Sequence, residues 1–457
     1  MDHQKESPQT AISLAAKTVL GDPKNDLVKS RCQYTNAVHY LQKGKALKDS
    51  KTKFLPALGK NTASFSPSPP SDPRIEIRKV RAQRYTLLSA SRALLLGEGK
   101  SRGLEYPAEY HKTAKCLHVS RGSFVDIHKS KAHGAAFYSG LVTCGSPWAC
   151  PPCAAKIQER RRLEVSDAMD KAYAEGLQPV MVTLTFPHCA FQSLDELLSK
   201  QASALAQLRA GKAWQGFKQR SGFIGMIRSL ELTHGQNGWH PHTHELWFVS
   251  AGAKASDMHA EILSRWERKC IKAGLLNEDD EAQVKAFRRH AVDVKGWCSN
   301  SDYLAKMDDP SHWGADREIA KASTKQGKSK GMHPFGLLAD YAEGNKASGA
   351  LFLDYVEAMR NKAQLYWSTG LKKYFKVDEK TDEALAQEQK EEADRVGRLD
   401  SDEWKTVREA KAQAQVLDAA EIGGWPAVVK LVERLTLAEI ARLEALLSSA
   451  ERPNPRE

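Results

Sequence analysis

The sequence predicts an α+β protein organised around an antiparallel sheet, with a cysteine-rich segment on one side and a helical C-terminal region on the other. Three observations predict it. PVMVTLTF (Pro179–Phe186) alternates like a strand. Two alternating segments flank the turn signal GQNG, Gly235 to Gly238. Between and after these strands come stretches with apolar residues at helical spacing.

Residues 1–75 are polar and end in SFSPSPPSDPR (Ser64–Arg74), a breaker-rich stretch expected to be a disordered basic arm and linker. A compact region follows, divided into a cysteine-rich segment (76–165) and a larger domain (166–376). After the Pro179–Phe186 strand, SLDELLSKQASALAQLRAG (Ser193–Gly211) opens with a Ser cap and keeps an apolar helical stripe. FIGMIRSLELTH (Phe223–His234) is a strand, and HPHTHELWFV returns beside it. Residues 255–274 are helical, and Glu281–Trp297 contains a further strand. The order is β-α-β-β-α-β, the ferredoxin-like arrangement, in which helices cover one face of the sheet and leave the other available. Residues 377–457 form a charged, helical accessory tail. In it DEKTDEALAQEQKEEADR (Asp378–Arg395) is expected as a solvated helix, and Leu437, Ile440, Leu443 and Leu446 as the stripe of an accessory helix.

The chain has 457 residues, with 68 Lys plus Arg against 56 Asp plus Glu, a net charge of +12 and a pI near 9.1. That excess suits a polyanionic partner, nucleic acid before membrane. No apolar run approaches the roughly 20 residues of a membrane span, and MDHQKESPQT has no apolar signal core. The expected location is a reducing cytoplasm, where clustered cysteines bind metal more often than they form disulfides.

GWHPHTHELWFV sets His240, His242 and His244 at alternate positions, so on a strand all three share one face. If GQNG joins the strands without a bulge, Glu231 falls opposite His242, Thr233 opposite His240 and Ser229 opposite His244. Cross-strand Cβ atoms lie about 5 Å apart, so Glu231, His242 and His244 can share one cation in a half-open N,N,O site. His240, at the strand entrance beside Pro241, is either a further ligand or a substrate contact. Thr183 and Thr185 share one face of the neighbouring strand.

Downstream, CSNSDYLAKMDD (Cys298–Asp309) carries Tyr303 and Lys306 at i, i+3, on one side of a helix capped by Ser299, Ser301 or Asp302. A Tyr hydroxyl is a weak nucleophile at its free pKa of about 10, and a nearby cation favours the phenolate.

Taken in order, VMVTLTF, HPHTH and YLAK resemble the three motifs of rolling-circle replication initiators of the HUH superfamily, closest to plasmid Rep proteins. The resemblance covers roughly residues 110–375, including HPFGLL (His333–Leu338) and LYWSTGLKKYF (Leu365–Phe375). It implies an antiparallel sheet carrying a metal, with His242 and His244 as the binding pair. It also implies Tyr303 as the nucleophile on single-stranded DNA and Lys306 as the motif lysine. Some relatives place a second Tyr, or a Glu, four residues from the first. Here Met307 follows Tyr303 at that distance, so one nucleophile is evident and the termination step stays open. Conjugative relaxases set the Tyr before the His motif, and the order here argues against them.

Upstream, Cys144, Cys150 and Cys153 form C-x5-C-x2-C, with Cys116 as the fourth ligand or His118 in its place. Such spacing suits a closed, structural tetrahedral Zn2+. Behind it, Lys156, Arg160, Arg161 and Arg162 are either a phosphate-gripping row or the solvated face of a helix. GEGKS (Gly97–Ser101) and QGKS (Gln326–Ser329) lack the earlier Gly of a complete phosphate-binding loop, so no internal helicase is expected. KASTKQGKSKG (Lys321–Gly331) reads as a mobile basic loop against DNA backbone.

The expected function is initiation of plasmid rolling-circle replication. The chain would nick and join single strands of a supercoiled origin through a tyrosine–DNA bond, with Mg2+ or Mn2+ at the catalytic site and Zn2+ in the cysteine segment. Host helicase and DNA polymerase, and a possible second copy of the chain, are the expected partners. The alternatives are a rolling-circle transposase, separated by genetic context, and a non-catalytic zinc-dependent DNA-binding regulator, separated by its indifference to loss of His242.

Overall fold

The computed structural model describes residues 73–101, 111–299, 331–388 and 392–450. Residues 1–72 of the expected arm, Tyr303 and Lys306, and all of the expected basic loop but its last residue, Gly331, lie outside the described residues.

The central sheet comprises β3 (Leu177–Leu184), β4 (Gly225–Gly235), β5 (Gly238–Ser250), β6 (Val292–Lys295) and β7 (Leu365–Trp367). Its order is β6-β3-β5-β4-β7, and every neighbouring pair is antiparallel. β3 and β5 are central strands with both faces covered, and nearly every residue of each is buried, the polar His242, His244 and Glu245 included. Gly238 at φ 77 closes the β4–β5 hairpin, and a Cβ there would come within 2.8 Å of the Ala190 backbone.

Between β3 and β4 stand two helices rather than the single expected one, α3 (Leu194–Leu208) and α4 (Gly211–Ser221). The break falls at Gly211, whose φ of 78 leaves the helical region. Ser193 caps α3 as expected, its Oγ accepting from Glu196 N at 3.2 Å. α5 (Ala255–Lys272) and α6 (Glu281–His290) connect β5 to β6. One sheet face packs Val180, Val182, Leu184, Trp247 and Val249 against Leu197, Leu205, Phe217 and Trp266 of these helices.

The opposite face is not left open, contrary to the sequence expectation. Preceding β3, the helix α2 (Pro151–Ala174) lays Val165, Ala168, Met169 and Ala172 over Met181, Ile227, Leu246 and Phe248. This covers the apolar half of the face, leaving the polar half, with Thr183, Glu231, His242 and His244, to form a site. α2 also runs unbroken through the expected domain boundary at residues 165 and 166.

A second sheet, β2-β1-β8, brings together distant parts of the chain: β1 (Val125–Ser130), β2 (Ala136–Ser139) and β8 (Ala393–Leu399). The expected solvated helix over 378–395 is therefore a short helix, here numbered α10 (Asp382–Gln387), followed by the start of a strand. Val396 and Leu399 turn into the core of this sheet, and pairing with β1 outweighs the helix-like charge of the segment. Behind it lie α11 (Ser401–Glu409) and α12 (Gln413–Ala450), the latter kinked at Gly424, φ 63. Gly397 permits the close approach of Trp425, whose ring would stand 1.9 Å from a Cβ there. The expected tail helix lies in α12, with Leu437, Ile440 and Leu443 exposed.

The long helix α1 (Pro73–Ser101) was not foreseen; it buries Leu87, Leu88, Ser91 and Leu95. Its Arg81 forms ion pairs with Asp418 and Glu421, tying it to α12. α7 (Pro334–Ala342), α8 (Lys346–Ala358) and the short α9 (Leu371–Tyr374) complete the described elements. Among the described residues no helix is long and apolar enough to cross a membrane.

Candidate metal centres

The hairpin register is the one read from the turn: Glu231 pairs with His242, Thr233 with His240 and Ser229 with His244. Glu231 Oε2 lies 2.9 Å from His242 Nε2 and 2.8 Å from His244 Nε2. All three side chains are buried. Two donors each about 2.1 Å from an octahedral cation stand about 3 Å apart at a right angle, so this spacing fits adjacent positions around a compact divalent ion. The same distances also suit imidazole N–H donors on a carboxylate. Behind the set, Thr183 Oγ1 lies 3.0 Å from His244 Nδ1, leaving Nε2 directed at the carboxylate.

His240 is not brought into this group. Its Nε2 lies 2.7 Å from Thr185 Oγ1, and its ring stacks on His188, with centroids 4.5 Å apart and planes 11° from parallel. Burial pulls His188 down to about 4 and holds His240 well below its ordinary value, so both rings are neutral near pH 7. Sequence reasoning missed His188, whose only signal is a His four residues past the end of β3. It also missed Glu245, fully buried on the helix-covered face of β5, where it pairs with Arg209 and accepts from Trp247 Nε1 at 2.7 Å. The alternation that exposes a ligand face in HPHTHELW hides the intervening acid.

The cysteine cluster assembles from the turn after His111 (Cys116), the stretch between β2 and α2 (Cys144) and the N-terminus of α2 (Cys150 and Cys153). Cys116, Cys144, Cys150 and Cys153 are buried and free of disulfides. Cys116 Sγ lies 3.5 Å from Sγ of both Cys150 and Cys153, and Cys144 Sγ lies 3.7 Å from Cys153 Sγ. Thiolates about 2.3 Å from a tetrahedral zinc stand about 3.8 Å apart, so the donor set and spacing fit Zn2+. Ser146 N and Thr113 Oγ1 each donate to Cys144 Sγ at 3.4 Å. Of the two alternatives for the fourth position, Cys116 joins the cluster. His118 Nδ1 instead meets Arg92 at 2.5 Å, and burial with Arg92 and Arg408 holds that imidazole near 4.

The expected phosphate-gripping row is largely turned onto its own chain. Lys156 Nζ donates to Ala386 O at 3.0 Å, and Arg161 binds Glu164, Asp382 and Lys380 O. Arg160 Nε stands 3.9 Å from Glu388. α10 occupies this side of α2, so these cations fasten the C-terminal segment. Arg162 pairs with Glu159 at 2.7 Å nearer the surface.

Comparison with known proteins adds a family. The profile of a family described as "Replication protein" matches residues 138–415. "Protein rep" of Streptomyces lividans is 26% identical over 306 residues, 54% of this chain and 66% of that protein. A "Neomycin resistance protein" of Streptomyces cyanogenus is 33% identical over 183 residues, 32% of this chain and 42% of that protein. The match thus spans less than two thirds of the first relative and under half of the second. No solved structure matches.

Proposed function

Because the chain belongs to the replication protein family, we propose that it initiates plasmid rolling-circle replication as a nicking and joining enzyme of the HUH type. The observation that carries this reading is the convergence of Glu231, His242 and His244 on one carboxylate oxygen, on the polar half of an antiparallel sheet. The strand order β6-β3-β5-β4, with helices after β3 and β5, supports a ferredoxin-like core for that sheet.

Glu231, His242 and His244 would hold Mg2+ or Mn2+, which when bound withdraws charge from the scissile phosphate. The Tyr303 phenolate attacks phosphorus and the P–O3′ bond breaks. The leaving oxygen takes a proton and becomes the 3′-hydroxyl that a host polymerase extends, while the 5′ side stays on Tyr303 as a phosphotyrosine. Lys306, at i+3 from the nucleophile, offsets the developing negative charge. The phosphodiester energy is kept in the protein–DNA bond, so joining is the reverse attack by a 3′-hydroxyl and needs no nucleotide cofactor. A Zn2+ held by Cys116, Cys144, Cys150 and Cys153 would be structural, fixing the start of α2 beneath the sheet.

The test is incubation of the full chain with Mn2+ and single strands tiling the replicon that encodes it, followed by denaturing electrophoresis. A protein–DNA adduct that needs the metal and is absent from Tyr303→Phe is expected. An undiminished adduct in Tyr303→Phe would place the nucleophile elsewhere.

A further inference from the structure

The outer face of the small sheet carries chemistry that the nicking site does not use. One side of β2-β1-β8 packs Val125, Ile127 and Leu399 against α11 and α12. The other side holds Asp126, His128, Phe137, Ser139, Arg395 and Arg398, because Asp126 pairs with Ser139 and Arg398 while His128 pairs with Phe137 and Arg395. The His128 ring stacks on Phe137, with centroids 5.4 Å apart and planes 15° from parallel. At the edge Phe124 is 49% exposed, and the Arg398 guanidinium lies 4.8 Å from its ring centroid. Arg395 and Arg398 are both exposed; Arg398 pairs with Asp126 at 2.7 Å, which fixes its guanidinium beside Phe124 and leaves Arg395 as the cation directed at a phosphate.

An exposed aromatic ring, Phe124, next to the half-buried His128–Phe137 stack and an arginine on a rigid sheet is what unpaired nucleic acid can use. Bases stack on the rings while phosphates meet the guanidinium groups, and neither contact depends on sequence. A duplex offers its phosphates but hides the faces of its bases, so exposed rings favour a single strand. The Arg398 guanidinium lies against the Phe124 ring, and about half of that residue still faces water beside the stacked His128 and Phe137. β1 and Phe124 also lie outside residues 138–415, so this face is not simply part of the family-matched segment.

We propose that this face, through Phe124, His128, Phe137, Arg395 and Arg398, is a binding platform for single-stranded DNA, separate from the Glu231–His242–His244 site. The proposal rests on DNA being the partner but not on the nicking chemistry. Its test therefore uses binding alone, in EDTA and in a Tyr303→Phe background, so failure of the nicking reading leaves the result interpretable.

The experiment is fluorescence anisotropy of the full chain with a labelled mixed-sequence 20-mer, single-stranded or annealed, over a salt series. Phe124→Ala should weaken single-strand binding roughly tenfold, the loss of about one stacked base, and Phe124→Trp should restore it. Arg395→Ala should lower the log–log salt slope by about 0.7, one phosphate contact on a single strand. Duplex binding should change far less in Phe124→Ala. Thermal melting of each variant identifies misfolding, and His128→Ala, on the same face, supplies an independent substitution expected to weaken single-strand binding. Wild-type affinity in folded Phe124→Ala and His128→Ala, or equal losses for duplex and single strand, overturns the proposal.

Discussion

Glu231 and His242 face each other across the β4–β5 hairpin, with Oε2 and Nε2 2.9 Å apart, and the same carboxylate oxygen reaches His244 at 2.8 Å. This one acid gathers both imidazoles. Replacing it by the isosteric amide keeps the volume and removes the charge. Glu231→Gln should lose Mn2+ binding in titration calorimetry and lower adduct yield at least about 100-fold, the upper end of what losing a mere outer-shell partner costs. Unchanged Mn2+ affinity would show that the pair is a hydrogen-bonded cluster and no ligand set.

The cysteine cluster predicts a metal stoichiometry. Native-state mass spectrometry should find about one Zn2+ per chain, lost in Cys116→Ser and Cys153→Ser and retained in His118→Asn. Because the cluster holds the start of α2 and packs against Leu88, Leu385 and Ala386, chelation should also lower the melting temperature. Zinc retained in Cys116→Ser but lost in His118→Asn would reverse the assignment of the fourth ligand.

Glu245 is fully buried and Arg209 nearly so, with side-chain exposures of 0% and 14%. Arg209→Ala strands a buried carboxylate and should cost about 3–5 kcal/mol in urea unfolding. Arg220 and Glu261 form a comparable contact at the surface, and Arg220→Ala should cost no more than about 1 kcal/mol. Equal costs for the two would mean that Glu245 is reached by water.

Burial holds His234 below its ordinary value of 6.5, with its ring edge-on to Trp239. The fold therefore favours neutral His234. Its contribution to stability is present above about pH 6.5 and is lost as pH falls from there towards the depressed folded value. His234→Gln should flatten the slope of stability against pH across that window, measured by urea midpoints. A slope identical to wild type would show that the ring is hydrated.

The hairpin was legible because a short turn between glycines sets register, and register in a strand decides which side chains share a face. That Thr183 shares a face with Thr185 on a strand beside the histidines was legible too, but its pairing with His244 was not, because no local turn fixes the register of β3 against β5. What was hidden depended on contacts distant in sequence. β8 is rich in charge and reads as a solvated helix until β1, more than 250 residues earlier, supplies a partner. α1 was passed over because its buried positions are scattered among basic residues that face water or, like Arg81, pair with α12. Lys156 and Arg161 looked available for phosphate because nothing local shows that α10 folds back over them.

The central claim joins a metal on Glu231, His242 and His244 to a nucleophile at Tyr303. The most direct measurement is peptide mapping by mass spectrometry of the covalent species formed with Mn2+ and a cleaved single strand. The account predicts that the modified peptide carries its 5′-phosphate on Tyr303 and is missing when His242→Ala or EDTA is used. A nucleotide on any other side chain, or the same modified peptide formed in EDTA, would contradict it.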